Sequence, residues 1–274
     1  MSSPFQPGSG DVAAMYDRMT DVFVEALGGS IHVGYWDPHE AAPMETAAAR
    51  LTTMVGERLG VLPDDGLLDI GCGTGGPALQ IARATAARVT GITVSAHQRD
   101  LAVTAAQKAG LADRVEFRIA DAARLPFDDG SFAGAWAIES LLHMPDRLAV
   151  LREAARVVRP GGPLVIADVC LREPPPAGAA EDTLAATAQL FQVADFTPMS
   201  RFERDLALSG WILDALSDIS ENVRATYGHL AAFLRAAADS PGAEGRRLAA
   251  GADVLDAFGA LPAVGYALVT ARRA

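Results

Sequence analysis

Short, nearly continuous apolar runs alternate with longer stretches of helical periodicity through the middle of the chain. "GLLDIG" is followed by "GPALQIARAT", and "ARVTGITV" by "SAHQRDLAVTAAQKAG". "VEFRIAD" comes next, then "FAGAWAIES" with "RLAVLREAARVV", and the turn "RPGG" leads into "PLVIADVC". Runs that are apolar at successive positions suit strands covered on both faces, and the stretches between them place apolar residues on one side of a helix. The alternation predicts an α/β fold, a parallel sheet with helices on both faces. Ligands of such sheets bind beyond the carboxyl ends of the strands, where the strand order reverses.

The flanks follow a different pattern. "DVAAMYDRMTDVFVEAL" has helical spacing from Asp11 to about Leu27, with Asp11 expected to cap its start and Gly28-Gly29 to stop it. Residues 1–10 read as disordered, "SIHVGYWDP" as an aromatic loop, and "PMETAAARLTTMVGERLG" as a second helix ending at Gly60. After Cys170 the rhythm breaks at "LREPPPAGAAED"; the apolar content of "TLAATAQLFQVADF" suits a packed cap better than a linker. "FERDLALSGWILDALSDIS" reads as helix, Gly210 stop and strand, and "AVGYALVTARRA" as a last strand. The expected organisation is a helical lid over 1–60, a binding core over 61–170, a helical cap over 171–201, and helices completing the sheet over 202–274.

Composition narrows the function. Half of the 274 residues are hydrophobic and the net charge is −11. That acidity argues against a nucleic-acid groove and against docking on anionic lipid. No secretory leader and no membrane-spanning run is read in the sequence, so a cytoplasmic protein is expected. Cys72 and Cys170 are too few for a disulfide scaffold, and no spacing suggests a metal site.

"LLDIGCGTGGPALQIA" carries the candidate chemistry. Its glycines fit two patterns: Gly71, Gly73 and Gly76 for a dinucleotide turn, or Gly71, Gly73 and Gly75 for a tighter one. A dinucleotide site wants an acidic residue about 20 positions later to hold the ribose. The second strand, "VTGITVS", offers only Thr93 and Ser95. Asp69, just before the turn, repels a pyrophosphate but suits a cationic ligand. S-adenosylmethionine (SAM), with a sulfonium, an amino group and no phosphate, is such a ligand. Asp121, just past the third strand, is placed to accept a bond from an adenine amino group.

These residues, with "GITVS", "ADAARLPF", "ESLLHM" and "RVVRPGG" in order, make residues 67–170 resemble the core of class I SAM-dependent methyltransferases. "MYDRMTDVF" and "SIHVGYWDP" extend the resemblance to bacterial secondary-metabolism enzymes, the antibiotic sugar O-methyltransferases of indolocarbazole and rifamycin type. The resemblance implies a Rossmann-like, doubly wound, mostly parallel seven-stranded sheet with an antiparallel final strand. It implies that Asp69 and the loop Gly71, Cys72, Gly73, Thr74 and Gly75 hold the methionine end of SAM, and that Thr93 with Gln98 meets the ribose. Asp121 and Ala122 would flank the adenine, Ile138 and Glu139 would line the floor near the sulfonium, and Tyr16, Tyr35 and Trp36 would close over the cofactor. S-adenosylhomocysteine would be the product, and a small-molecule acceptor the only other partner, in a chain whose ends could support a homodimer.

Methylating an alcohol calls for a general base. His143, past the fourth strand, is the candidate, with Asp168 at the end of the next strand expected to orient it. The sugar-methylating relatives often carry two adjacent histidines here, whereas this chain has Leu142-His143. O-methylation of a natural product is the leading expectation. The alternatives are C-, N- or S-methylation of a prenylated, peptide or polyketide-like substrate, with Phe191, Phe196 and Phe202 available to stabilise a carbocation in C-methylation of a prenyl chain, and a cyclase or binding role without methyl transfer. An NAD(P) oxidoreductase is disfavoured by the missing ribose carboxylate. His32, His39, His97 and His229 are expected to be structural or solvated.

Overall fold

In a computed structural model, the structure describes residues 5–27, 29–175, 177–238 and 243–274. Two helices lead the chain, α1 (Ser9–Ala26) and α2 (Met44–Leu59). Next come β1 (Gly66–Ile70), α3 (Gly76–Thr85), β2 (Arg88–Thr93), α4 (Ala96–Lys108), β3 (Val115–Ile119), β4 (Gly134–Ile138), α5 (Arg147–Val157) and β5 (Pro163–Leu171). The remainder is α6 (Ala179–Phe191), α7 (Phe202–Ala207), β6 (Trp211–Asp218), α8 (Ser220–Val223), α9 (Ala225–Ala237), α10 (Ala243–Ala260) and β7 (Val264–Arg273).

The seven strands among the described residues form one sheet in the order β3-β2-β1-β4-β5-β7-β6. All pairs are parallel except those made by β7, which runs antiparallel to both β5 and β6. The expected single reversed strand at the end of the chain is therefore present. The order turns back between β1 and β4, which opens the crevice at their carboxyl ends.

Strand periodicity sorts the core into two layers. Leu67, Trp136, Val165 and Ala167 face one side, packed with residues of α2, α3, α9 and α10. Leu68, Ile70, Ala135, Ile166 and Cys170 face the other, against α5 and α7. Each buried leucine or isoleucine contributes about 1.5–3 kcal/mol relative to exposure, so both faces of the central strands stabilise the fold.

Most element ends follow local chemistry. Ser95 Oγ accepts the Gln98 N–H at 3.0 Å to cap α4, and Asp146 Oδ1 accepts the Ala149 N–H at 2.9 Å to cap α5. α2 stops at Gly60, which takes a left-handed φ of 58°. The start of α1 differs from expectation. Gly8 is the cap, Asp11 sits inside the first turn, and its Oδ2 accepts the Gly8 N–H at 2.9 Å. Ser9 and Gly10 are thus helical rather than disordered, whereas residues 1–4 and Gly28 of the expected stop lie outside the described residues. The helical layer near the end of β4 also draws on more chain than 171–201, because α10 packs on both α6 and α9.

Candidate functional site

A cleft of about 300 Å³ opens at the carboxyl ends of β1 to β4. Gly71 and Gly73 after β1, Thr93 at the end of β2 with Gln98 beyond it, Asp121 and Ala122 after β3, and Ile138 at the end of β4 with Glu139 beyond it all line it. Gly71 has φ 82°, and a Cβ there would stand 2.3 Å from Ser140 Cβ, so only glycine fits. Ser140 Oγ in turn donates to the Ile70 carbonyl at 2.5 Å, holding the ends of β1 and β4 together. Gly75 has a different task from its expected one. A Cβ on it would lie 2.5 Å from the Phe117 ring, so this glycine lets the start of α3 pack on β3 and does not line the cleft.

Asp69, Cys72 and Thr74 line a smaller neighbouring cavity of about 30 Å³, with His32. Asp69 is buried, and its Oδ2 has no hydrogen-bond partner among the described residues. Burial pushes its carboxyl up to about 8, opposed by the indole of Trp136, its register partner on β4. A buried acceptor left without a partner beside a glycine turn fits an incoming ammonium group, the group carried by the methionine end of SAM. Thr93 Oγ1 donates to Gln98 Oε1 at 2.9 Å, so the predicted ribose pair is already joined. Asp121 is exposed at the rim, where its Oδ1 accepts the Ala123 N–H at 2.9 Å.

The expected aromatic closure is met by one residue of three. Tyr16, on α1, lines the cleft. Tyr35 and Trp36 line neither the cleft nor the apolar cavity described below. The Tyr35 N–H donates to the Ala47 carbonyl, while Trp36 stacks on His229 with 5.5 Å between ring centres. The backbone of Trp36 exchanges bonds of 2.9 and 2.8 Å with Asn222, which ties the aromatic loop to α8. These backbone bonds and the Trp36 stack fasten the loop to α2, α8 and α9. His32 is likewise structural. Its Nδ1 bonds the Val33 carbonyl at 2.8 Å, and burial holds the ring near 4.

A second cavity of about 110 Å³ lies on the far side of Tyr16 and is walled chiefly by Phe23, Leu142, Phe191, Phe196, Leu230 and Phe258. Tyr16, Ile31, Glu139 and His143 line both spaces and form the junction between them. Glu139 takes a left-handed φ of 46°, and its Oε1 accepts the Val33 N–H at 2.8 Å and the Tyr266 O–H at 2.9 Å. Burial pushes its carboxyl up to about 8.

His143 ends a short 3-10 turn that follows β4, Leu141–His143. Its Nδ1 lies 3.0 Å from the Gln192 carbonyl and its Nε2 2.9 Å from the Tyr16 hydroxyl. A carbonyl only accepts, so Nδ1 carries the proton and Nε2 takes the Tyr16 O–H. Desolvation holds the imidazole below its usual range, and hence neutral near pH 7.

The expected partnership with Asp168 is not present. Val169 lines the apolar cavity, so by strand alternation Asp168 points to the opposite face of β5. There its Oδ2 lies 3.9 Å from Arg147 Nη1, and its Oδ1 accepts the Val169 N–H at 3.0 Å. Burial pushes this carboxyl up to about 7, against the pull of the guanidinium. The orienting role belongs instead to the Gln192 carbonyl, set by a left-handed φ of 53° after α6. A backbone carbonyl leaves no mark in a sequence motif, and the Tyr266 O–H reaches Glu139 from the reversed last strand, 127 positions away.

Comparison with known proteins gives a consistent picture. Residues 68–166 match the family described as methyltransferase domain. The O-methyltransferase resE of Aspergillus sclerotiorum is 40% identical over 98% of this chain and 98% of its own. The 27-O-demethylrifamycin SV methyltransferase of Amycolatopsis mediterranei is 36% identical, again over 98% of each. Among solved structures, the [4+2]-cyclase SpnF superposes with a TM-score of 0.85 at 35% identity, over 99% of both chains.

Proposed function

Because the chain belongs to the SAM-dependent methyltransferase family that includes O-methyltransferases of secondary metabolism, we propose that it methylates a hydroxyl of a mostly apolar small molecule. The observation that carries this reading is the Tyr16–His143 pair, held at the junction of a polar cleft and an apolar cavity. SAM, when bound, supplies a methyl group on a cationic sulfur. Gly71, Gly73, Thr93, Gln98 and Ala122 would form its cradle, with Asp69 meeting the ammonium.

The chain's own residues handle the proton. Neutral His143 offers Nε2 as the acceptor, and Tyr16 already donates to it. An acceptor hydroxyl reaching the junction gives its proton to the Tyr16 oxygen as Tyr16 passes its own to Nε2. Burial and the nearby Glu139 disfavour a standing phenolate, so the two transfers move together. The Gln192 carbonyl keeps the ring in the tautomer that leaves Nε2 free to accept. The apolar walls hold the acceptor body and exclude water from the junction. Among the described residues no helix is long and apolar enough to cross a membrane.

A cycloaddition like that named for the SpnF structure needs no proton acceptor, so the paired tyrosine and histidine favour methyl transfer. Mass spectrometry of products from methyl-labelled SAM and a panel of hydroxylated natural products tests the reading. Label is expected in a methyl ether. Label only on carbon, nitrogen or sulfur, or cofactor binding with no transfer to any panel member, would overturn it.

A further inference from the structure

The apolar cavity contains a polar group that the transfer chemistry leaves unused. Tyr227, in the first turn of α9, lines this cavity and is buried. Its hydroxyl has no hydrogen-bond partner among the described residues. The ring cannot easily turn to find one. It meets Phe258 edge-on with 5.2 Å between centroids, and a Cβ on Gly259 would lie 2.7 Å from Tyr227 Cβ. An unpaired buried hydroxyl destabilises the fold, and phenylalanine at the same place would avoid that cost.

The surroundings define what could pair with it. Phe23, Phe191, Phe196, Leu230 and Leu255 supply an apolar wall, and no Lys or Arg lines the cavity among the described residues. Glu139 stands at the junction, so a phosphate or carboxylate entering here would meet a carboxyl group and no cation. Burial and the nearby Glu139 also keep the Tyr227 phenol protonated, and therefore a donor.

We infer that Tyr227 is a specificity-determining donor: its O–H recognises a second oxygen, a carbonyl, ether or hydroxyl, on a neutral acceptor whose first oxygen is methylated beside Tyr16 and His143. The inference rests on the methyl-transfer reading for the role of that first oxygen. A buried donor rejects an analogue lacking the matching oxygen, because binding the analogue leaves the donor unpaired.

Calorimetry on the protein saturated with S-adenosylhomocysteine tests this with two phenols of nearly equal shape, meta-hydroxyacetophenone and meta-ethylphenol. The wild-type protein is expected to bind the ketone about 10-fold more tightly. Tyr227→Phe should bind both within about twofold, with unchanged S-adenosylhomocysteine affinity and an equal or higher melting temperature. Equal wild-type affinities, a ketone preference that survives in Y227F, binding of neither phenol, or a clearly lower melting temperature for Y227F would overturn the inference. No methyl transfer is needed for the measurement. A Tyr227-dependent preference without methylated product would defeat the proposed function and leave this inference standing.

Discussion

The two spaces that meet at Tyr16 are built in opposite ways. The cleft is assembled from the turns that directly follow β1, β2, β3 and β4, and backbone geometry shapes it: Gly71 fits because a side chain would strike Ser140. The apolar cavity is assembled from side chains as far apart as Phe23 and Phe258, on helices that share no motif. The first space is suited to a constant ligand and the second to a ligand that changes between relatives. Only their junction, Tyr16, Ile31, Glu139 and His143, belongs to both, and its three polar side chains concentrate the chemistry there.

Removing the junction base gives the largest expected effect. His143→Ala should lower kcat by about 10²–10⁴-fold while leaving S-adenosylhomocysteine affinity within about twofold. Rate measurements alongside calorimetry check both halves. A matching loss of cofactor affinity would show that the histidine belongs to the cleft alone.

The next largest effect should fall on the cleft. Gly71→Ala combines a positive φ with a contact of 2.3 Å, so cofactor affinity is expected to fall by about 10–100-fold. Binding of a neutral phenol in the apolar cavity should change by less than about threefold. If both fall together, the two spaces are not built independently.

The same contrast explains what the sequence made legible. α2, β1, α3, β2 and α4 appear within a few residues of where periodicity and the Gly60 stop placed them, because the apolar runs, Gly60 and the Ser95 cap act locally. Thr93 and Gln98 are five positions apart and were found together. His143 and its two partners are separated by 49 and 127 positions, and one partner is a carbonyl, so no local pattern could join them. Tyr35 and Trp36 lie outside both spaces, and an aromatic loop reads the same whether it faces a ligand or, as the Trp36 ring does, stacks on α9. Asp168 was misplaced for a reason that alternation does encode: its neighbour Val169 takes the cavity side.

pH acts with opposite sign on the two buried acids and on the junction histidine. Asp69 and Glu139 are pushed up to about 8, so the folded state holds protons that the unfolded chain releases near 4. Their contribution to stability is full below about 4 and is lost as pH rises towards about 8. His143 is shifted downward, so its contribution is present above about 6.5 and is lost as pH falls below that. A cation placed against Asp69 favours the ionised carboxyl. SAM binding should therefore release a proton, and affinity should rise with pH between about 5 and 7, by at most about 10-fold per unit. Calorimetry in two buffers of different ionisation enthalpy measures the proton, and Asp69→Asn should abolish its release. Proton uptake instead would place the cation elsewhere.

The smallest expected effect belongs to Asp168, and it tests the boundary of the junction. If that carboxylate oriented His143, removing its charge would disturb the tautomer and shift the acid limb of the rate profile, which the histidine sets. The structure puts Asp168 on the far face of β5 with Arg147, and gives Nδ1 of the imidazole to the Gln192 carbonyl. Asp168→Asn keeps the volume and one acceptor oxygen for the Val169 N–H, while leaving Arg147 without its counter-charge. The protein should lose stability, since a buried cation loses its nearest partner. At a temperature where it stays folded, kcat should remain within about threefold of wild type and the acid limb should not move. Thermal unfolding and a pH–rate profile of the same variant decide it. A displaced limb would return Asp168 to the proton path; a fixed limb with a lowered melting temperature confines it to the core beneath β5.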